Sequence, residues 1–270
     1  MSLTPLILLR QELSARNITF ARAHNLPHSC SCGETPTIAY HPVEDSHGNF
    51  LRTTYRAILS SPEWRQRLYK VHTQQKCFPS TGHRHRELDC SVSSDALLLN
   101  VFCYPGTLRH KGLQTFLGIE GGDRPVFGYR PRVPLISGRT DRTEIDMRIG
   151  PLLVESKLTE SDFQRAAKER VHDYRDFNIF EASELPQTQT EYLGYQLIRN
   201  ILAAFAANCS FVLMADQRRP DLIEQYYSVV RSIKFSDLRC RCRLLLWQEL
   251  SSHLPKTLRR FLDEKYGISG

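Results

Sequence analysis

No stretch of this chain approaches the ~20 consecutive apolar residues that cross a bilayer, which argues against a membrane-spanning protein. The early run Leu6-Ile7-Leu8-Leu9 is too short for a signal peptide and has no basic segment before it, so the expected location is cytoplasmic. No Walker-type or dinucleotide-type glycine loop occurs, and no G-x-S-x-G, so nucleotide-driven and serine-hydrolase chemistries lack their usual signatures. Internal repeats and low-complexity tracts are also missing. In a reducing compartment the eight cysteines are expected as thiols rather than a disulfide framework.

What remains is a globular composition, 41% apolar and 24% charged over 270 residues, enough for one large domain or a core with an added lobe. The net charge of +7 and a pI near 9.0 suit a polyanionic partner. Part of that charge is concentrated: Arg124, Arg130, Arg132, Arg139 and Arg142 lie close together, where guanidinium groups clamp phosphates. The run His83-Arg84-His85-Arg86 reads as a second basic surface. Cys30, Cys32, Cys77 and Cys90 leave structural Zn2+ open, but their spacings match no standard zinc pattern, and buried thiols are the other reading.

Along the chain, Leu6 to Leu13 makes a short amphipathic start, and Ser61-Pro62 opens a helix with Trp64, Leu68 and Val71 on one face. Ser91 to Asp95 offers caps for a buried helix over Ala96–Cys103. Thr115–Glu120 and Pro125–Arg130 read as short strands. Ser161 opens a helix whose apolar residues run from Phe163 to Phe177. A more buried helix, Glu191 to Ala207, carries a polar stripe of Tyr192, Gln196, Arg199 and Asn200. A central strand follows over Ser210–Ala215, then a helix from Asp221 to Ile233. Arg239, Arg241 and Arg243 enter a late strand through Leu244–Trp247, and Lys256–Tyr266 closes the chain as a helix.

The stretch with the sharpest chemistry is Thr143 to Lys157. Ile145, Met147 and Ile149 alternate with Asp146 and Arg148, Gly150-Pro151 makes a turn, and Leu152 to Val154 leads into Glu155-Ser156-Lys157. The pattern predicts a hairpin. Glu155 and Lys157, two apart, share a strand face; if Asp146 lies on the same face, the three converge. Two carboxylates on a rigid sheet hold a hard divalent cation, Mg2+ or Mn2+, and an ammonium beside them can orient or deprotonate water. The chemistry this suits is phosphodiester hydrolysis.

The written pattern, D-x8-E-x-K, resembles the active-site signature of the PD-(D/E)xK nuclease superfamily, with Ile145 standing where that signature often has proline. Ser93–Phe102, Thr143–Asp146, Leu153–Phe163 and Tyr195–Asn200 are similar to its bacterial restriction-endonuclease-like branch, over roughly residues 87–235. The resemblance implies an αβββαβ core, an α/β fold with a mixed sheet flanked by helices, here behind an N-terminal extension. It implies metal binding by Asp146 and Glu155, joined by the Ser156 carbonyl, and a water positioned by Lys157. A helix before the hairpin often donates another acid, so Asp95 is a candidate ligand; Glu120, at the end of an apolar run, is a second candidate to face the metal. The helix after the hairpin supplies a Gln or a basic residue, which points to Gln196 and Arg199. The expected product carries a 5′-phosphate.

The expectation is therefore a nuclease core at 87–250, an extension at 1–86 that touches nucleic acid, and a closing helix at 251–270. Its partner is DNA, gripped by Arg139, Arg142, Arg84, Arg86 and Arg199. A homodimer that unites two sites stays open. The alternative is a non-catalytic nucleic-acid-binding module with structural zinc, indifferent to magnesium.

Overall fold

The computed structural model describes residues 4–32, 35–71 and 86–270. The chain forms two compact units, one running up to Asp123 and resuming over Trp247–Gly270, the other Arg124–Leu246.

The first unit opens with α1 (Pro5–Ala23), longer than its expected Leu6–Leu13, with proline in its first turn and the Thr4 hydroxyl accepting from the Ile7 amide. Strands β1 (His28–Cys30) and β2 (Ile38–Tyr40) pair antiparallel. Then come α2 (Arg52–Ser60) and α3 (Pro62–Arg67), where Ser61 caps through the Trp64 amide as its sequence foretells. Helix α4 (Ser94–Phe102) is buried at every position. Residues expected as a strand from Thr115 instead end α5 (Lys111–Leu117): Leu113 and Leu117, one turn apart, are its buried pair, and Gly118 stops it at a φ of 70°.

In the second unit the order is β3 (Val126–Tyr129), β4 (Val133–Pro134), β5 (Thr140–Asp141), β6 (Ile145–Ile149), β7 (Leu152–Ser156), β8 (Arg165–Ala167), α6 (Lys168–His172), β9 (Glu191–Leu193), α7 (Tyr195–Ala206), β10 (Ser210–Ala215), α8 (Pro220–Val230), α9 (Ser236–Arg241) and β11 (Cys242–Leu246). A five-stranded mixed sheet runs β11-β10-β7-β6-β3. Its inner strands β7 and β10 are parallel, as are β10 and β11, while β6 is antiparallel to β7 and β3 to β6. Gly150, at a φ of 51°, supplies the left-handed turn that joins β6 to β7. Leu153, Phe211 and Leu213 belong to one core with Leu197, Ile198, Ile201 and Leu202 of α7. Burying each such side chain contributes about 1.5–3 kcal/mol, and that packing fixes α7 over the sheet.

The helix expected across Phe163–Phe177 forms only over α6 (Lys168–His172). Gln164 takes a φ of 60°, and Arg165–Ala167 pairs antiparallel with Glu191–Leu193. The carbonyls of Phe163 and Gln164 then receive the amides of Gln196, Gly194 and Tyr195, so this segment satisfies the amides that the start of α7 leaves unpaired. For the same reason the helix expected from Glu191 starts at Tyr195. Arg239 and Arg241 lie in α9, and only Arg243 lies in the late strand.

The first unit resumes as α10 (Trp247–Ser251) and α11 (Lys256–Tyr266), the expected closing helix. Helix α11 packs on α1: the Arg16 guanidinium donates to the Asp263 carbonyl (3.1 Å) and the Asn17 amide to the Lys265 carbonyl (3.3 Å). The two ends of the chain thus belong to one compact unit, which also contains α4. Among the described residues no helix is long and apolar enough to cross a membrane.

Candidate active site

The hairpin brings the three expected residues together. The ladder between β6 and β7 runs Ile149↔Leu152, Arg148↔Leu153, Met147↔Val154, and Asp146 and Glu155 are the next residues along their strands. The Ser156 amide donates to Asp146 Oδ2 (2.8 Å), which ties the carboxylate to the end of β7. Past that end, the Lys157 amide donates to the Met214 carbonyl of β10 (2.8 Å). Its ammonium turns back to Glu155 Oε1 at 2.9 Å. Helix α7 closes the arrangement from above: Gln196 Oε1 accepts from the Lys157 ammonium (3.0 Å) and the Asn200 amide donates to Glu155 Oε2 (2.8 Å).

Glu155 and Lys157 are nearly sealed, at 3% and 5% exposure, while Asp146 is half-buried. Burial alone pulls the Lys157 ammonium below its ordinary value, but Glu155, Glu160 and Asp146 together hold it above. The ammonium also lies 5.4 Å from the Phe163 ring centre. It is therefore a fixed cation at neutral pH, suited to stabilising charge and orienting water rather than to accepting a proton.

The donor set is oxygen-rich, as a hard divalent ion requires. A carboxylate oxygen carries two lone pairs, so each Glu155 oxygen keeps acceptor capacity beyond its bond to Lys157 or Asn200. Among the described residues no three of His, Cys, Asp and Glu form a metal-holding group. Two carboxylates are enough for Mg2+, which keeps several waters and takes the rest of its shell from substrate phosphate. Asp146 and Glu155 fit such an ion in kind and number.

The other expected residues are placed elsewhere. Asp95 is in the first unit, held by Arg67 (3.0 Å) and Lys70 (2.8 Å); burial raises its carboxyl, but the two cations outweigh that and leave it below the usual range. Glu120 is an exposed turn residue of that unit, its amide bonded to Asp123. Arg139 and Arg142 are exposed on the second unit. Arg86 lies over the Tyr69 ring at 4.7 Å, and Arg84 falls outside the described residues. Cys77, His83 and His85 do too, and among the described residues no disulfide joins the cysteines. Arg199 corrects its expectation outright: at 4% exposure it is spent inside the protein on the Asn200 side chain and the Glu144 carbonyl (3.0 Å) and offers no surface to DNA.

Some neighbours carried no expectation. The Leu158 amide donates to Glu160 (2.7 Å), which keeps that carboxylate among the charges acting on Lys157. At the end of β10, buried Asp216 accepts from the Arg218 guanidinium at 2.8 and 2.6 Å, while fully buried Arg219 donates to the Leu158 carbonyl (3.0 Å) and to Asp221. An acid at the end of a buried strand was the available signal. Near the start of α7 the Tyr195 and Tyr174 hydroxyls meet at 2.8 Å, and Tyr174 donates to Asp141. Burial raises Asp141, but the bonds from Thr143 and Tyr174 outweigh it and leave its carboxyl lowered.

A family model described as Restriction Endonuclease associating with ARP matches residues 22–267. No curated protein and no solved structure matches the chain.

Proposed function

Since the chain belongs to that restriction-endonuclease family, we propose that it is a divalent-metal-dependent nuclease that hydrolyses phosphodiester bonds of DNA on a PD-(D/E)xK site. The observation that carries the reading is the meeting of Asp146, Glu155 and Lys157 at the adjoining ends of β6 and β7, with Gln196 of α7 over them. Within the second unit the order β3, β6, β7, α7, β10 matches the βββαβ part of an αβββαβ core, with β4 and β5 as an insertion between its strands and β8, α6 and β9 as another after them, and α4 precedes it in the sequence, followed by α5. The family's description names an associate, ARP, which makes a partner part of the proposal.

Asp146, Glu155 and the Ser156 carbonyl would hold Mg2+ or Mn2+, and the bound ion would supply charge neutralisation and an acidified water. The protein's own share is positional. Lys157, kept protonated by the acids around it, donates toward the attacking water and the charge growing on the phosphate. Gln196 also accepts from that ammonium, so its direction is set before substrate arrives. The exposed Arg139 and Arg142 take neighbouring phosphates.

The test is Asp146→Asn. The half-buried carboxylate can be neutralised without opening a cavity, so the variant should melt within a few degrees of the wild type yet lose Mg2+-dependent cutting of plasmid DNA. The wild type should lose cutting in EDTA and recover it with Mg2+ or Mn2+. Undiminished cutting by the variant would remove the assignment.

A further inference from the structure

We infer that Arg199 and Asn200 act as one positioning unit for Glu155, and that this unit, through the Asn200 amide, sets the affinity of the site for its divalent ion. The inference rests on the nuclease reading and concerns residues that never reach substrate. Asn200 is fully buried and Arg199 nearly so. The Asn200 side-chain oxygen accepts from Arg199 Nε (3.1 Å) and Nη2 (2.7 Å). A guanidinium has donors only, so the amide oxygen must face Arg199, and the amide nitrogen must face Glu155 Oε2, 2.8 Å away. The flip state of this amide is thus fixed by chemistry, where it otherwise has to be assigned.

Arg199 is itself pinned, since Nη2 also donates to the Glu144 carbonyl (3.0 Å), two residues before Asp146. One guanidinium therefore couples the backbone leading into the first carboxylate to the side chain that orients the second. The chain Glu144, Arg199, Asn200, Glu155, Lys157, Gln196 has a partner at every step. An uncharged donor on Oε2 removes the rotational freedom of Glu155 without adding a second positive charge beside the Lys157 ammonium. Outer partners of this kind typically set metal affinity by about 10–100-fold.

The experiment is titration calorimetry with Mn2+ alone on the full chain, with melting curves alongside. Asn200→Leu keeps the volume and removes the donor, so it should bind Mn2+ about 10–100-fold more weakly. Asn200→Gln returns an amide and should recover most of that loss. A role in packing alone predicts the opposite order, with the Leu variant near wild type, and a Leu variant within twofold of wild type overturns the inference. If Asn200→Leu does not fold, Arg199→Lys unpins the amide without touching Glu155; weakened Mn2+ binding supports the inference, and wild-type affinity overturns it. A wild type that binds no Mn2+ removes the nuclease reading, and this inference with it, whereas a wild type that binds beside an unaffected variant removes the inference alone.

Discussion

Two buried lysines show how much a single residue's neighbours decide. Lys157 faces carboxylates, and its pKa is raised in the fold; Lys265, fully buried, faces the rings of Tyr40, Tyr266 and Phe20 at 4.3, 5.2 and 5.5 Å and the Asn17 amide, and burial lowers it well below 10.5 against a smaller opposing pull from Cys90. The folded chain holds the Lys157 proton more tightly than the unfolded chain does, so that contribution is complete below the ordinary value of 10.5 and fades above it. For Lys265 the unfolded chain binds the proton better, so its burial costs stability at neutral pH and the cost vanishes toward 10.5. Lys157→Met should therefore destabilise at pH 7 by about 3–5 kcal/mol, because Glu155 is left buried beside no cation. Lys265→Met should stabilise by about 1 kcal/mol or more, since Asn17 Oδ1 still accepts from the Tyr40 hydroxyl at 3.1 Å. Urea unfolding at pH 7 and pH 10 checks both, with the gain from Lys265→Met shrinking at the higher pH; shifts of one sign would contradict this account. The acidic pair and Lys157 were legible because period-2 alternation and a two-residue turn leave little freedom in where they point. Arg199 was misread because its partner, the Glu144 carbonyl, is 55 residues away and leaves no trace in local spacing.

At the scale of elements, helix α7 is where local pattern and long-range pairing meet. Its polar stripe was visible at helical spacing, but its start was not: the signal for residues 161–177 was amphipathic, and strand pairing with Glu191–Leu193 prevailed over it. The punctuation that mattered was Gly194, at a φ of 74° ahead of Tyr195, where an added Cβ would come within 3.1 Å of Val229 Cγ2. Gly194→Ala should cost about 1–2 kcal/mol from the left-handed backbone, somewhat more if Val229 does not yield. Because Gln196 and Asn200 ride on that first turn and the next, the same variant should weaken Mn2+ binding out of proportion to its stability. A urea midpoint equal to wild type would show that the helix start tolerates a side chain. The central strand Ser210–Ala215 was legible by contrast, since a strand buried along nearly its whole length reads as an unbroken apolar run.

For the whole molecule, what the sequence could not supply was how its parts group, because contacts such as those of α1 with α11 link residues some 250 positions apart. Charge is different, since net charge needs no fold to be read. The +7 excess suits DNA, but the fold decides which arginines are available: Arg199 and Arg219 are consumed internally, whereas Arg124, Arg130, Arg132, Arg139 and Arg142 are exposed on the second unit. Each phosphate neutralised releases condensed counterions, so affinity should fall steeply and linearly in log salt concentration. Removing one phosphate contact should lower that slope by about 1 without changing sequence preference. Arg139→Ala combined with Arg142→Ala should therefore reduce the salt dependence of duplex binding by about 2, measured by fluorescence anisotropy between 50 and 200 mM salt in Ca2+. The affinity for Mn2+ alone should stay at the wild-type value, because neither arginine takes part in the chain from Glu144 to Gln196. An unchanged salt slope would mean that DNA lies across another face, and a changed Mn2+ affinity would mean that the arginine loop and the carboxylates are not independent.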